Sequence, residues 1–266
     1  MRYIHLLILA FLATACEKVI DIDLNNSDPR VVIEGRLSDQ PGECEVLITR
    51  TLNFDDTVGY PLLGGAQVLL RDLSTGSIAA LTEVSLGRYT NPSLAGISGR
   101  GYELVVSLNG QQYTARGAMP PRVELDSLLI DSTNFTGPRG PANPDGTRRV
   151  LLLAFPFFTE PIGQTNQYYF EVSQNDTLAD SFFLYNDLGA DGQPMLRPVF
   201  VSTWERAQVI INLQCIDAAT YEYLNGLNLN LGQNSATPAN PKGNFDNGAL
   251  GHFRVHTTSK KTFVVN

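Results

Sequence analysis

Two histidines near the C-terminus have a residue type and spacing suited to metal chemistry. His252 and His256 stand four residues apart, and on a helix that spacing would place both imidazoles on one face, as in zinc sites. The surrounding pattern favours a strand, on which they share a side but stand ~13 Å apart with Arg254 between them. We therefore expect no metal and no cofactor here, and we predict that the two histidines lie on a half-exposed strand edge.

A serine between glycines invites comparison with a hydrolase nucleophile. Gly96-Ile97-Ser98-Gly99 is followed by Arg100, so the Gly-x-Ser-x-Gly turn that exposes such a serine is incomplete. We interpret this segment as a loop.

An acidic segment resembles the start of a calcium-binding loop. Asp187 and Asp191-Gly192 have the right spacing, but the third position is Gly189 and the twelfth is Pro198, where a bidentate glutamate is needed. A hairpin turn between two strands is the favoured prediction, and irregular calcium ligation is the alternative.

Paired carboxylates provide the one route to hydrolysis that the sequence leaves open. Asp55-Asp56, or Glu43 with Glu45, could act as general acid and base if the fold brought them into a cleft. Solvated strand faces are the simpler interpretation. We expect a protein that is not an enzyme, with a glycan- or peptide-processing hydrolase as the alternative.

Aromatic residues in the second half of the chain are the best candidates for recognition. Aromatic rings next to polar amides present a large contact area with few rotatable bonds, which suits sugar, peptide or protein surfaces. In a strand, half of them must face the core instead. The candidates are Tyr168, Tyr169, Phe182, Phe183, Tyr185 and Trp204.

The N-terminus predicts export and lipidation. Met1-Arg2 is followed by an 11-residue run, mainly apolar, and by Ala13-Thr14-Ala15-Cys16. The run is shorter than the ~20 residues of a membrane-spanning helix, so it matches a signal peptide. A cysteine directly after small residues resembles a bacterial lipobox, although Ala13 stands where leucine is usual. We expect cleavage after residue 15, diacylglycerol on the Cys16 thiol, and anchoring of the mature protein to a membrane; an unmodified secreted protein is the alternative.

Composition excludes several classes of protein. The 266 residues are 43% hydrophobic and 17% charged, which excludes collagen, coiled coil and full disorder. The net charge of −8 repels phosphate backbones, so nucleic acid is not expected as a partner. Cys44 and Cys215 could form a disulfide outside the cytoplasm, or each could be a small apolar residue inside its own strand.

Short segments of alternating polarity predict a mainly all-β protein. About seven of them lie between residues 30 and 121, and Asn109-Gly110 is typical of a two-residue hairpin turn. Their order resembles immunoglobulin-like and transthyretin-like sandwiches. Pro120-Pro121 should end this first sheet because it removes two backbone donors.

A second β-rich domain with one helix is predicted for residues 122–266, after a signal peptide at 1–15, a tether at 16–29 and the sandwich at 30–121. Asp217 can cap a helix over residues 218–231. Two separate strands, 253–258 and 262–265, are expected to close the chain.

Several landmarks together resemble one family. They are Cys16-Glu17-Lys18, Val31-Val32-Ile33-Glu34-Gly35, Met119-Pro120-Pro121, Asp126-Ser127, Ile216-Asp217-Ala218-Ala219-Thr220-Tyr221, and Asn244-Phe245-Asp246-Asn247-Gly248 with Ala249-Leu250-Gly251-His252-Phe253. In this order they are similar to the Bacteroidota lipoproteins grouped as domain of unknown function 4249. The resemblance implies an outer-membrane lipoprotein often associated with systems built around TonB-dependent transporters, with no established reaction or ligand. Our own expectation is a binding protein that acts as an accessory to such a transporter or to envelope assembly.

Overall fold

The computed structural model describes residues 28–52, 59–131, 143–175, 177–179, 182–231 and 240–265. Strands dominate these ranges and one helix accompanies them, so the prediction of a mainly all-β fold is confirmed. Cys16, the signal segment, most of the tether, and Asp55-Asp56 lie outside the described residues.

The N-terminal part is a seven-stranded antiparallel arrangement within the described residues. Neighbouring strands follow the order β1-β2-β5-β4-β3-β6-β7. The β6–β7 hairpin turns at Asn109 and Gly110, whose φ angles of 51° and 77° match a two-residue turn with positive φ at both positions. The strands are β1 Val31–Ser38, β2 Cys44–Arg50, β3 Gln67–Asp72, β4 Ile78–Ser85, β5 Arg88–Thr90, β6 Gly101–Leu108 and β7 Gln111–Ala118.

The C-terminal part adds a second layer and the helix. The described elements are β8 Ser127–Asp131, β9 Arg149–Thr159, β10 Gln167–Gln174, β11 Thr177–Leu178, β12 Phe183–Asn186, β13 Pro194–Leu196, β14 Val199–Trp204, β15 Gln208–Ile216, α1 Ala218–Leu231 and β16 Leu250–Val264. β9 pairs with β8, β13 and β14 in a four-stranded sheet, whereas β10, β11, β12, β15 and β16 join the sheet that contains β1.

β16 connects the two parts of the molecule. It is one continuous strand where the sequence predicted two, because its second half pairs antiparallel with the whole of β15. Its first half runs parallel to β1, with Ile33 opposite Gly251 and Leu37 opposite Val255. The chain therefore leaves the N-terminal sheet after β7 and returns to it more than 130 residues later.

One face of this long sheet covers both hydrophobic cores. Phe253 and Val255 of β16 pack into the first core, between the β1–β2 face and the β3–β6–β7 layer. Leu213 of β15 and Phe170 of β10 pack into the second core, against the β9 sheet. Side chains alternate along a strand, so the intervening residues all point to the opposite face of the sheet.

The two described cysteines lie in different cores and are free thiols. Cys44 belongs to the first core and Cys215 to the second, so the alternative of a disulfide between them is wrong. Burial raises the pKa of Cys44 to about 12 and that of Cys215 to about 11, which keeps both thiols protonated and unreactive.

Candidate ligand-binding groove

A groove of about 520 Å³ lies on the sheet face that does not cover the cores. Helix α1 forms one wall, and the floor consists of side chains from β1, β2, β10 and β16. We define the groove by an apolar set, Leu178, Tyr169, Phe182, Tyr223 and Leu227, and a charged set, Glu34, Arg36, Glu45, Arg88, Glu171 and Arg254.

The helix occupies its predicted residues because both its start and its packing are specified locally. Asp217 caps it, with its carboxylate accepting a 2.8 Å hydrogen bond from the backbone N–H of Thr220. Leu224 packs with Tyr169 and Ile216 in a small third cluster. Gly226 allows close approach to Pro241, which a Cβ would meet at 3.1 Å. The helix is thereby held against β10, β12 and β16.

The aromatic candidates divide between core and groove as strand alternation requires. Tyr168 is fully buried in the second core, and Phe183 and Tyr185 pack against that core. Tyr169 points the other way and stacks on Phe182, with ring centroids 6.2 Å apart. Of the six aromatic candidates, Tyr169 and Phe182 therefore line the groove, where Tyr223 of the helix joins them.

Trp204 does not belong to the groove. It ends β14 in the four-stranded sheet and is 38% exposed.

The charged set forms a lattice of opposite charges across neighbouring strands. Glu45 accepts from both Arg36, at 3.4 Å, and Arg88. Arg254 lies 3.8 Å from Glu171, and its guanidinium carbon is 5.5 Å from the centre of the Tyr169 ring. The parallel register of β1 and β16 puts Arg36 beside Arg254. Three guanidinium and three carboxylate groups thus border an apolar wall.

A family model described as Domain of unknown function (DUF4249) matches residues 17–262. The chain belongs to this family. No curated protein matches. Among solved structures, the chain is similar to one from a cytokine receptor complex (crystal form 1A), at 12% sequence identity. The match covers 88% of this chain and 95% of that one, with a TM-score of 0.24.

Both histidines of this family member lie on the predicted strand but not at an edge. His256 lies between Ile216 of β15 and Ser38 of β1, and His252 lies opposite Glu34 of β1. Both side chains are buried and β16 is not an edge strand, so the expectation of a half-exposed edge is wrong. His252 shares a 3.0 Å hydrogen bond with Thr220 and stacks on Tyr223, with ring centroids 4.7 Å apart. The described residues contain no group of three or more ligands that could hold a metal ion.

Stability should fall in mild acid because His252 is buried as a neutral ring. Burial lowers its pKa from 6.5 to about 4, with Asp217 opposing the shift and Arg254 adding to it. Between these values the unfolded chain takes up a proton that the folded protein excludes, so the free energy of unfolding decreases as pH falls from 6.5 towards 4, by on the order of 3 kcal/mol.

Replacement of His252 by glutamine should remove this component of the pH dependence. Urea unfolding of the wild type and His252→Gln at pH 7.5, 6.0 and 5.0 measures it. We expect the difference in unfolding free energy between the two proteins to narrow, or to reverse, as the pH falls. A difference that stays constant over this range would contradict the assignment.

The Asp187–Asp191 segment is a turn but not a hairpin. It joins β12 in the large sheet to β13 in the four-stranded sheet, so it crosses between layers. Asp187 accepts a 2.8 Å hydrogen bond from the Asn166 N–H, and Asp191 accepts one of 2.6 Å from the Gly163 N–H. The two carboxylates therefore fix the crossing.

The remaining motifs lie apart from one another. Ser98 is in the loop before β6 and donates a 3.1 Å hydrogen bond to the Pro120 carbonyl. Glu43 pairs with Lys260, whereas Glu45 points into the groove. In the part of the chain that the structure describes, no helix is long and apolar enough to cross a membrane.

Proposed function

We propose that this protein is a Bacteroidota outer-membrane lipoprotein, anchored through Cys16, that binds a partner through the groove. The partner class we propose is a TonB-dependent transporter or another envelope-assembly protein. The observation that supports this proposal best is the groove itself. Leu178 is 53% exposed there, beside Phe182 and a row of charged groups. Exposed apolar surface rimmed by charge is the usual composition of a docking surface.

The pairing of the groove carboxylates favours binding over hydrolysis. Glu45 is held by two arginines, and Glu171 faces a third. Each of these carboxylates therefore already faces a guanidinium group, which suits a charged docking surface better than a general acid that must be free to reach a substrate. The alternative, a hydrolase with a carboxylate pair, has no comparable support.

Replacing Leu178 by glutamate should abolish capture of the partner. Leu178 sits on the two-residue strand β11, so a charge there changes the apolar part of the groove with little effect on the core. We expect affinity purification of the full-length protein from native outer membranes, in gentle detergent, to recover a transporter-sized protein in stoichiometric amount with the wild type. Recovery should fall at least tenfold with Leu178→Glu.

Leu129→Glu is the matched control. Leu129 is 60% exposed on β8 of the other sheet, so this variant introduces the same charge at a similar leucine away from the groove. Partner recovery should stay at the wild-type level. Recovery of the lipoprotein alone, or equal losses with both variants, would overturn the proposal.

A further inference from the structure

A small polar cavity of about 130 Å³ adjoins the groove on the same sheet face. It shares Arg36, Glu171 and Arg254 with the groove and is completed by polar side chains of β15 and β16. A water molecule occupies about 30 Å³ in the liquid, so the space holds about four waters or one small charged group.

Two deeply buried polar side chains that line this cavity each carry one atom with no hydrogen-bond partner among the described residues. Gln214 is 1% exposed and its Oε1 has no hydrogen bond within the described structure. His256 is 3% exposed, and its Nδ1 is likewise unpaired among the described residues. An unpaired buried polar atom costs about 1–3 kcal/mol, so two of them beside one cavity indicate that something polar binds there. The glutamine amide can turn to present its NH₂ group as a donor.

The charge of the cavity favours an anion. Three cations line it, Arg36, Arg254 and Lys260, against two carboxylates, Glu43 and Glu171. Lys260 pairs with Glu43 and Arg36 lies 3.4 Å from Glu45, whereas Arg254 is 3.8 Å from Glu171, beyond hydrogen-bond distance. A guanidinium carries five N–H donors in a planar fork, so these arginines have donors to spare.

The three cations act together at His256. Burial lowers the pKa of His256 well below its ordinary value, and Arg254, Arg36 and Lys260 each lower it further. The imidazole is therefore neutral and can donate one N–H, and three cationic side chains lie close enough to it to favour a negatively charged group in the cavity.

We propose that this cavity is an oxyanion subsite, which takes the carboxylate or phosphate group of a ligand whose apolar part lies in the groove against Phe182 and Leu178. The inference deepens the proposed function and rests on the groove being the binding surface. A carboxylate and a phosphate group both present a pair of oxygen atoms that can accept two parallel hydrogen bonds from an arginine guanidinium.

Calorimetric titration of the full-length protein in detergent tests the subsite with three probes of similar size. Phenylacetate and phenyl phosphate supply the two head groups on an aromatic ring, and phenylacetamide supplies the ring without the charge. We expect at least one acid to bind at least tenfold more tightly than the amide. The tighter of the two acids identifies the head group. Equal affinity for acids and amide, or no binding of either acid, would overturn the inference.

Arginine variants test whether acid binding depends on the cavity itself or only on the number of positive charges on the protein. Arg254→Gln should weaken acid binding at least tenfold, and Arg36→Gln, at a more exposed side chain, provides the test if the first variant does not fold. Arg71→Gln removes the same charge from an ion pair with Glu103 on the opposite layer and should change acid binding less than twofold. If the Arg36→Gln and Arg254→Gln variants both bound the acid as tightly as the wild type, the proposed subsite would be refuted. If Arg254→Gln does not fold, wild-type affinity in Arg36→Gln alone would refute it.

The two proposals can fail separately. Loss of partner capture in Leu178→Glu without any preference for acids would refute the subsite and leave the docking surface standing. Acid-selective binding without capture of any partner would support the subsite and refute the proposed partner.

Discussion

Replacing Gly251 by alanine should lower the free energy of unfolding by about 3 kcal/mol or more. Gly251 has a φ of 93°, which L-residues rarely adopt, and a Cβ there would lie 2.1 Å from the carbonyl oxygen of Ile33. The strained φ costs about 1–2 kcal/mol. The clash adds to it, because Ile33 and Gly251 are opposite each other in the parallel β1–β16 ladder and the two strands must separate.

Gly42→Ala is the control that separates the cost of the steric clash from the cost of the strained φ. Gly42 has a φ of 83° and no atom within 4 Å of its would-be Cβ, so it carries the backbone strain alone. We expect it to cost about 1 kcal/mol. Urea unfolding of both variants measures the difference, and equal costs would contradict the close approach of β1 and β16.

The pairing of β1 with β16 also brings the charged residues of the groove together. In the β1–β16 register Glu34 lies opposite His252 and Arg36 opposite Arg254, so separation of these strands disperses the charged set. A folded Gly251→Ala protein should therefore also show weaker partner capture. Stability and binding depend here on one contact between residues 218 positions apart.

Local signals were sufficient to predict most of the elements. Alternating polarity over residues 44–48 and 102–106 predicts strands, and the structure has β2 and β6 there. Asn109-Gly110 predicts the hairpin turn, because such patterns are set by near neighbours. Helix α1 followed from a cap at Asp217 and a segment with a single glycine. Short-range chemistry determines all of these features.

Long-range pairing could not be read in the same way. Nothing near His252 indicates that β16 pairs with β1, so the sequence predicts an edge strand although β16 lies inside the sheet. The local sequence likewise predicts a hairpin at Asp187, because it does not show that β12 and β13 belong to different sheets.

The candidate site was only partly predictable. Alternation indicated that either Tyr168 or Tyr169 faces away from the core, but not which one. The sequence does not predict Arg36, Arg88 and Arg254 as groove residues, since they come from three strands that meet only through the β1–β16, β1–β2 and β2–β5 pairings. Charged residues alternating with apolar ones on β1 and β16 were the available signal.

Replacing Cys16 by alanine should move the protein from the membrane to the soluble fraction. Anchoring by acyl chains contributes about 0.8 kcal/mol per buried CH₂ group, and more than one chain makes it durable. Without the thiol no diacylglycerol can be attached, and a net charge of −8 does not favour binding to an anionic lipid surface. Cys44→Ala is the matched control, because Cys44 is a buried free thiol in the first core.

Membrane fractionation of these three proteins is the most direct test of a lipid-tethered binding protein. We expect the wild type and Cys44→Ala to sediment with the outer membrane and to stay there after a high-salt wash, while Cys16→Ala remains in the supernatant. If Cys16→Ala sedimented like the wild type, or the wild type were soluble, the anchor would be refuted, along with the location and partners proposed from it.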